Sequence, residues 1–482
     1  MARILFQIIA VVVIAISIFG CEDEGYVNSH DAQLFFSTDT IMFDTIFTTI
    51  GSTTQHFTVH NPYDENILIS RIKLAGGDES NFRLNINGEE TNELYEVEIP
   101  PNDSIYVFVE VTIDPNGQNL PMVVQDSVQF TTNSNLQDIK LLAYGQDFKL
   151  VKQQTISTTT WTAEKPYLVF DYAFVDSLST LTIEPGTRIF FHKQAGLYVK
   201  GNIIANGTFK HPILFTADRL EDSYKNIPDQ WNGIILYSGS HDNIFNFCTI
   251  KNANIGLQVG TIEHEGFATV RLTNSRVENM AYAGVFAMKS KIYGYNDLIA
   301  NCGFYAMALL VGGEYEFYHT TIANYWGNYT RKTRKTPSLT ISNSISYNRG
   351  KNEKTVFKGD LVKLKFANSI IYGNNTSELN LANNGENQFN YFFENTIIQV
   401  PDTFNTTERD HYLNVWKGPE YDPLFVDPYV EYNYALDTLS PAKDVGNTVY
   451  GLEFPQDIEN NDRNTDMGPD LGAFERIEKK NE

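Results

Sequence analysis

The sequence predicts an all-β protein in which a β-sandwich is followed by a long coil of stacked repeats. Two observations predict this fold class. From residue 31 to about residue 146, short apolar runs alternate with polar residues and are separated by turn residues. From residue 246 to residue 397, a three-residue phrase recurs at nearly constant spacing. With 482 residues, of which 42% are hydrophobic, the chain is long enough for two domains and can bury an apolar core.

Composition excludes several classes of protein. Lys and Arg number 36 against 59 Asp and Glu, so the formal net charge is -23. This balance argues against a nucleic-acid partner, because few cations are present to neutralise phosphates. Three cysteines are too few for a disulfide framework, and no pair with the spacing of a zinc site occurs.

The first 20 residues are an apolar leader. Arg3 precedes a nearly unbroken apolar run at 4–18, which is shorter than the roughly 20 residues that span a bilayer. The run ends at Gly20-Cys21, directly before a polar stretch. This resembles a bacterial lipoprotein signal of the Bacteroidetes type, which implies cleavage before Cys21, acylation of its thiol and a membrane partner. An uncleaved membrane anchor is the alternative.

Acidic residues open the predicted tether, residues 21–30. Glu22, Asp23 and Glu24 follow the cysteine directly. In lipoproteins of this type, such residues resemble a signal for export to the outer surface. A merely solvated tether is the alternative. We therefore expect a lipid-anchored outer-membrane protein at the cell surface, with the periplasmic face left open.

Residues 31–150 are predicted to form the β-sandwich. Apolar and polar residues alternate at 56–60, 105–109 and 128–130, and turn residues such as Asn87-Gly88 separate the runs. The stretch resembles immunoglobulin-like modules of bacterial surface proteins. That resemblance implies a spacer, and no site is predicted in it.

The repeated phrase is a small polar residue, a polar residue and an aliphatic residue. The aliphatic positions are 21 to 27 residues apart, with a mean of about 24.5. The copies are Cys248-Thr249-Ile250, Ser275-Arg276-Val277, Asn296-Asp297-Leu298, Thr320-Thr321-Ile322, Asn343-Ser344-Ile345, Asn368-Ser369-Ile370 and Asn395-Thr396-Ile397.

A column of asparagines follows the aliphatic column. Asparagine tolerates the left-handed backbone that a sharp bend needs, and stacked amides can hydrogen-bond along the column. The two columns together resemble the right-handed parallel β-helix of pectate lyase-like proteins. The resemblance implies such a fold over residues 155–476, with a segment from residue 457 onward that caps the last coil. Cys248 and Cys302 lie about two coils apart, too far for a disulfide, so both are expected to be buried and unpaired. The column consists of Asn252, Asn279, Asn301, Asn324 and Asn348.

No catalytic residues are assigned. The resemblance implies a possible polysaccharide lyase or glycoside hydrolase, but the adjacent Asp-Asp pair and the Gly-His-Gly segment of polygalacturonase-like members are absent. A lyase would need a carboxylate cluster for Ca²⁺, and acidic residues between 245 and 400 are scattered in the sequence. We therefore favour a protein that is not an enzyme and keep the lyase or hydrolase as the alternative.

A short aromatic and basic segment is the candidate glycan site. Aromatic faces can stack on sugar rings, and Arg can bind a uronate or sulfate, so an acidic polysaccharide is the predicted partner. A protruding loop with packed aromatics and solvated charges is the alternative. The candidate residues are His319, Tyr325, Trp326, Tyr329, Arg331, Lys332, Arg334 and Lys335.

A second segment predicts a candidate metal site. Asp462, Asn464 and Asp466 place oxygen ligands at alternate positions, as in a Ca²⁺ loop. The glycine and the final acidic ligand of such a loop are not in their places, so the capping role is the alternative. No other cofactor is predicted.

These observations predict a lipid-anchored envelope protein whose β-helix binds or displays at the surface, with polysaccharide as the leading ligand. A polysaccharide lyase or glycoside hydrolase is the alternative from the enzyme class. A structural or adhesive rod is the third interpretation.

Overall fold

The structure is a computed structural model that describes residues 25–117, 122–262, 266–327, 334–349 and 353–477. The chain divides into two compact units between Asp147 and Phe148. Each unit has its own buried apolar cluster. The predicted fold class is confirmed, because the first unit is a β-sandwich and the second is built around a 23-stranded sheet of stacked parallel strands.

Two five-stranded sheets form the sandwich. One sheet has the order β1-β3-β8-β5-β6 and the other β2-β10-β9-β4-β7, with β2 and β10 parallel and the other neighbours antiparallel. The strands are β1 (Phe35–Phe36), β2 (Thr40–Phe47), β3 (Gln55–His60), β4 (Ile67–Leu74), β5 (Phe82–Ile86), β6 (Glu89–Glu90), β7 (Glu93–Ile99), β8 (Ser104–Val111), β9 (Met122–Thr132) and β10 (Asn135–Gln146).

Strand β8 shows why this region folds as a sandwich. Its side chains alternate strictly between exposed and buried positions. Val107 and Val109 lie in the core, whereas Tyr106 and Phe108 face outward. Because successive side chains of a strand point to opposite faces, this alternation gives one face to the core and one to solvent.

Parallel strands form the β-helix of the second unit. In the early coils each strand pairs with the strand three places later, so that three strands make one coil. The strands are β11 (Lys149–Ile156), β12 (Thr159–Trp161), β13 (Tyr167–Val175), β14 (Thr180–Ile183), β15 (Arg188–Phe191), β16 (Gly196–Val199), β17 (Asn202–Asn206), β18 (Ile213–Ala217), β19 (Trp231–Leu236), β20 (Asn243–Asn246), β21 (Cys248–Lys251), β22 (Ala253–Val259), β23 (Ala268–Thr273), β24 (Arg276–Met280), β25 (Ala283–Tyr295), β26 (Leu298–Cys302), β27 (Tyr305–Tyr318), β28 (Thr321–Asn324), β29 (Leu339–Ser342), the hairpin strands β30 (Ser344–Arg349) and β31 (Glu353–Lys358), β32 (Leu361–Gly373), β33 (Leu379–Ala382), β34 (Phe392–Ile398) and β35 (Tyr412–Trp416).

The core of the β-helix is made of side chains stacked from coil to coil. The Phe191 and Trp231 rings stack with centroids 4.0 Å apart, and Phe317 stacks on Phe366 at 4.8 Å. An aliphatic column follows the same rule, and its members pair in register. It consists of Ile250, Val277, Ile299, Ile322, Ile371 and Ile398.

This column corrects the predicted one at four positions. Leu298, Ile370 and Ile397 are one residue out of register and lie in a separate apolar cluster outside the coil. Ile345 belongs to no coil, because β30 pairs antiparallel with β31 in a hairpin. The sequence phrase thus marks the correct strands but not always the inward residue.

Asparagines form the corners, in two columns. Asn252, Asn279 and Asn301 have positive φ, as predicted for the first column, while Asn324 is not left-handed and Asn348 lies in hairpin strand β30. The amide ladder occurs at a different corner from the predicted one, where each amide nitrogen donates to the side-chain oxygen of the preceding coil. That ladder consists of Asn206, Asn246, Asn274 and Asn296.

The C-terminal segment, residues 417–476, lies along the side of the β-helix. We call it the strap. Its part from residue 457 onward was predicted to cap the last coil, but Arg463 bonds to Asn296, and Gly472 and Ala473 bond to Asn368 and Thr321, which belong to three different coils. Its elements are the 3-10 turn Pro419–Tyr421, β36 (Phe425–Asp427), β37 (Asn433–Leu436) and helix α1 (Thr448–Glu453).

The apolar cluster under the strap gives the reason for this placement. Leu298, Ile370 and Ile397 face outward from the coil and pack against strap residues such as Tyr434 and Phe474. Without the strap these side chains would lie on the surface. The segment therefore closes a lateral apolar face.

Two further predictions concern cysteine and the membrane. Cys248 and Cys302 are buried and unpaired, as expected. Burial raises the pKa of the Cys302 thiol to about 12. In the ranges that the structure describes, no helix is long and apolar enough to cross a membrane. Cys21 lies outside those ranges.

Candidate functional site

The structure buries three of the eight predicted glycan-binding residues. His319, Tyr325 and Arg334 are at most 8% exposed. Burial, with the nearby Arg463, holds the pKa of His319 well below its usual range, and its Nε2 lies 3.1 Å from the amide of Asn368. These positions offer no accessible surface to a glycan, because each side chain packs inside the protein.

Arg334 is part of a fully buried ion pair with Glu378. Glu378 also accepts hydrogen bonds from the backbone nitrogen and hydroxyl of Ser338, at 2.8 and 2.6 Å. Arg334 donates in addition to the backbone oxygen of Asn324 at 3.1 Å. The guanidinium thus joins two coils to the segment that follows residue 333, which is a structural role.

Of the other predicted residues, two are described by the structure and three are not. Trp326 is half-buried and Lys335 is exposed. Tyr329, Arg331 and Lys332 lie outside the described residues, so their glycan-binding role stays a prediction.

Trp326 adjoins a group of aromatic side chains that the sequence analysis did not single out. Tyr282 and Phe304 are adjacent on neighbouring coils: the backbone nitrogen of Phe304 donates to the oxygen of Tyr282 at 3.0 Å, and their ring centroids lie 5.1 Å apart. Phe286 and Tyr305 flank Tyr282 at 5.7 and 6.0 Å. We call these four residues and Trp326 the aromatic surface.

A glycine lets Trp326 join this surface. A Cβ atom at Gly303 would lie 3.1 Å from Cζ2 of Trp326 and 2.1 Å from the backbone oxygen of Ala281. The indole therefore packs onto the bare backbone of the residue before Phe304. The side chain of Phe304 remains 49% exposed.

Polar side chains border the aromatic surface. The backbone nitrogen of Tyr282 donates to the backbone oxygen of Asn254, and the side-chain amide of Asn254 donates to the Asp229 carboxylate at 2.9 Å. Beyond Trp326, the amide of Asn374 donates to the Trp326 backbone oxygen at 3.0 Å. Aromatic rings that are exposed or half-buried can contact the apolar faces of a sugar, and neighbouring amide and carboxylate groups can bind its hydroxyl groups.

A spacing in the sequence could have revealed this surface. Tyr282, Phe304 and Trp326 are separated by 22 residues each, within the range of the repeat. The sequence analysis followed the aliphatic and asparagine columns and passed over the aromatic one.

Two carboxylates that are distant in the sequence lie near the same lysine, Lys365, on another outer face. Glu316 pairs with Lys363 at 2.8 Å, and Glu394 with Lys365 at 3.0 Å. Burial alone would raise the pKa of each carboxyl, but hydrogen bonds with the lysines and with Tyr318 or Tyr450 lower both. A general acid needs a raised pKa, so this arrangement suits neither carboxyl for that role.

The predicted Ca²⁺ ligands lie in an exposed turn of the strap. Asp462 accepts from the backbone nitrogen of Asn464 at 3.0 Å, and Asp466 is hydrogen-bonded to Asp444. Within the described ranges, no three or more Asp, Glu, His or Cys side chains are arranged to hold a metal ion. Ca²⁺ binding stays a prediction to which this geometry adds no support.

The same turn places Arg463 inside the protein. This guanidinium is fully buried and donates to Glu475 at 3.1 Å and to Asn296 and the Gly472 backbone oxygen at 3.0 Å. The acidic turn therefore contains a buried arginine that holds the strap on the β-helix.

Comparisons with known proteins find no family model and no curated protein that matches the chain. Among solved structures, one match is a family 123 glycoside hydrolase from Clostridium perfringens that hydrolyses glycolipid glycans, at 7% identity and a TM-score of 0.17. That match covers 24% of this chain and 26% of the hydrolase. A second match is the Agl-KA catalytic domain, at 12% identity and a TM-score of 0.20, covering 71% of this chain and 78% of that one. Scores this low carry no argument about this protein.

Proposed function

We propose that this protein is a lipid-anchored protein of the outer membrane whose β-helix binds polysaccharide at the cell surface without cleaving it. The observation that carries the proposal is the aromatic surface, in which Tyr282, Phe304 and Trp326 come from three consecutive coils.

The aromatic surface supports a polymeric ligand. Neighbouring coils are about 4.8 Å apart, so the three rings extend along the β-helix axis rather than around a single point. Contact between apolar ring faces and the C–H faces of sugars stabilises the complex, because it removes apolar area from water. A row of such faces can contact several sugar units of one chain.

The membrane anchor rests on the leader and on Cys21. Acylation of Cys21 would add about 0.8 kcal/mol of membrane affinity for each buried methylene, and more than one chain is needed for stable anchoring. Glu22, Asp23 and Glu24 support surface exposure. Labelling of the wild-type chain with a fatty-acid probe, and loss of the label in Cys21→Ser, is the expected result. A labelled variant would contradict the anchor.

Binding is tested on a glycan array with the full chain in detergent. We expect Phe304→Ala to weaken binding to the recognised polysaccharide about tenfold, equivalent to about 1.4 kcal/mol. Phe209→Ala is the matched control, because Phe209 is 48% exposed and lies elsewhere on the β-helix unit. It should bind like the wild type.

Release of reducing ends is measured in the same wells, with and without Ca²⁺. Binding that Phe304→Ala loses, without release of product, supports the proposal. Product release would instead establish the lyase or hydrolase. Absence of binding to every polysaccharide would favour the structural or adhesive rod.

A further inference from the structure

A groove lies on an outer face of the β-helix, away from the aromatic surface. It has a volume of about 410 Å³ and is lined by β20, β23, β25 and β27. The aromatic surface includes Tyr282, directly before β25, and Phe286 near the start of β25, whereas the groove uses the part of β25 that follows the left-handed residue Lys289. The two sites are therefore separate.

Arg271 is the available cation of this groove. Its side chain is exposed, and no carboxylate of the described ranges lies within salt-bridge distance. Its guanidinium carbon lies 5.5 Å from the ring centroid of Tyr293, its register partner on the next coil. The nearby Lys291 differs, since it pairs with Glu314 at 2.7 Å. The tyrosine thus positions a guanidinium whose N–H groups bind none of the described residues.

A second contact between cations and an aromatic ring lies beside the first. The ammonium groups of Lys289 and Lys291 are 5.7 and 5.6 Å from the centroid of Phe267, which is itself exposed. On a chain of net charge -23, this face has the combination of aromatic and basic side chains that the sequence analysis predicted for residues 325–335.

We propose that this groove binds a uronic acid residue of a polysaccharide, with Arg271 bound to its carboxylate. The planar guanidinium matches a carboxylate with two parallel hydrogen bonds. Asp242, Glu314 and Glu316 line the same groove and can accept hydrogen bonds from sugar hydroxyls. They would also repel a densely charged chain, which favours an isolated uronate over a highly sulfated polymer. The inference does not depend on the aromatic surface.

Calorimetry on the full chain in detergent tests the groove with three probes. The first is a trisaccharide that carries one glucuronate, and the second is the same trisaccharide with that carboxylate reduced to an alcohol. The third is a trisaccharide that carries several sulfate groups. We expect the uronate probe to bind at least about tenfold more tightly than either of the others, because the reduced probe has no carboxylate for Arg271 and the groove carboxylates repel the densely charged sulfated probe.

Arg271→Gln should weaken binding of the uronate probe by about 10- to 100-fold, the effect of losing a charge-assisted hydrogen bond, and leave the reduced probe unchanged. Tyr293→Leu should weaken it by about two- to fivefold through loss of the cation–π contact. Arg409→Gln is the matched control, since Arg409 is also exposed and has no described carboxylate partner. It should have no effect.

Phe304→Ala should also leave binding of the uronate probe unchanged, which separates this groove from the aromatic surface. Equal affinity for the uronate and reduced probes, tighter binding of the sulfated probe, or wild-type affinity in Arg271→Gln would each overturn the inference. Equal losses in Arg271→Gln and Arg409→Gln would do so too, because they would indicate a general effect of net charge.

Discussion

Arg334 and Glu378 form an ion pair whose side chains are both 0% exposed. Removing charges from water is costly, and the cost is offset only when the remaining polar atoms are satisfied. The carboxylate oxygens of Glu378 accept hydrogen bonds from Arg334, from Ser338 and from the backbone nitrogen of Asn375. The pair therefore depends on both partners, and either residue alone would be an uncompensated buried charge.

Arg334→Gln should lower the free energy of unfolding by about 3–5 kcal/mol, because it leaves Glu378 buried without its counter-charge. Chemical denaturation followed by circular dichroism measures this change. Lys335→Gln is the matched control: the side chain is adjacent but exposed, so its effect should remain within about 0.5 kcal/mol. A stable Arg334→Gln protein that lost glycan binding would contradict the structural role of Arg334.

Glu475 predicts a dependence of stability on pH. Burial and the neighbouring Asp470 raise its pKa to about 8, against the opposing effect of Arg463. A carboxyl with a raised folded pKa binds more protons in the folded protein than in the unfolded chain between the unfolded and folded pKa values, here 4.5 and about 8. The free energy of unfolding therefore decreases as pH rises through that window.

We expect the Tm to decrease from about pH 6.5 to about pH 8.5, and to decrease less in Glu475→Gln, which cannot titrate. This range avoids Asp470, whose raised pKa is about 6. Differential scanning calorimetry of both proteins measures the difference. An identical pH dependence in the two proteins would show that Glu475 does not titrate in this window.

At the scale of the strand, the sequence predicted where the strands of the β-helix lie better than it predicted which residue of each strand points inward. The recurring phrase locates β21, β24, β26, β28, β32 and β34 correctly, because each coil needs an inward aliphatic side chain. At Ile370 and Ile397 the phrase selects the outward residue. A residue under the strap is as apolar as one in the core, so local pattern cannot distinguish the two faces.

The position of the strap likewise could not be predicted from the local sequence pattern. Its contacts with Asn296, Thr321 and Asn368 join residues more than 70 positions apart, and such pairings leave no period in the sequence. The outward apolar residues were the available signal, since an apolar outer face requires a cover.

Gly472 brings the backbone of the strap directly against the β-helix. Its φ is +86°, and a Cβ atom would lie 2.3 Å from Oγ1 of Thr321 and 3.0 Å from Cδ1 of Ile370. Gly472→Ala should cost about 1–2 kcal/mol for the left-handed backbone and a further 1–3 kcal/mol for overpacking. Displacement of the strap should also increase binding of a dye that reports exposed apolar surface.

Gly385→Ala separates the two contributions. Gly385 also has positive φ, at +74°, but a Cβ atom there meets nothing within 4 Å. It should show the backbone cost alone and no increase in dye binding. Equal stability losses in the two variants would contradict close packing of the strap at Gly472.

For the whole molecule, the sequence predicted which types of residue would bind a glycan but not where in the fold they would lie. Aromatic and basic residues were predicted to act together at residues 319–335. In the structure Arg334 is buried, whereas Arg271 and Tyr293 meet on an outer face. They are 22 positions apart, and only the stacking of coils brings them together.

The two units have separate apolar cores. The sandwich cluster contains residues such as Val107 and Phe130, and the β-helix cluster begins at Val151. Because burial of apolar surface is the main favourable term in folding, a unit that holds its own core should fold without the other. We expect a chain that begins at Phe148 to unfold cooperatively and to retain polysaccharide binding, while residues 25–147 alone fold but do not bind.

Thermal melts followed by circular dichroism test folding, and the glycan array tests binding independently. The full chain is the reference for both measurements. If the chain from Phe148 lacked a cooperative transition, the β-helix would need the sandwich as part of its structure. If it folded but lost binding, the sandwich would contribute to recognition, and its proposed role as a spacer would be wrong. Retention of both properties would assign recognition to the β-helix, whose stacked coils place residues from distant parts of the sequence side by side.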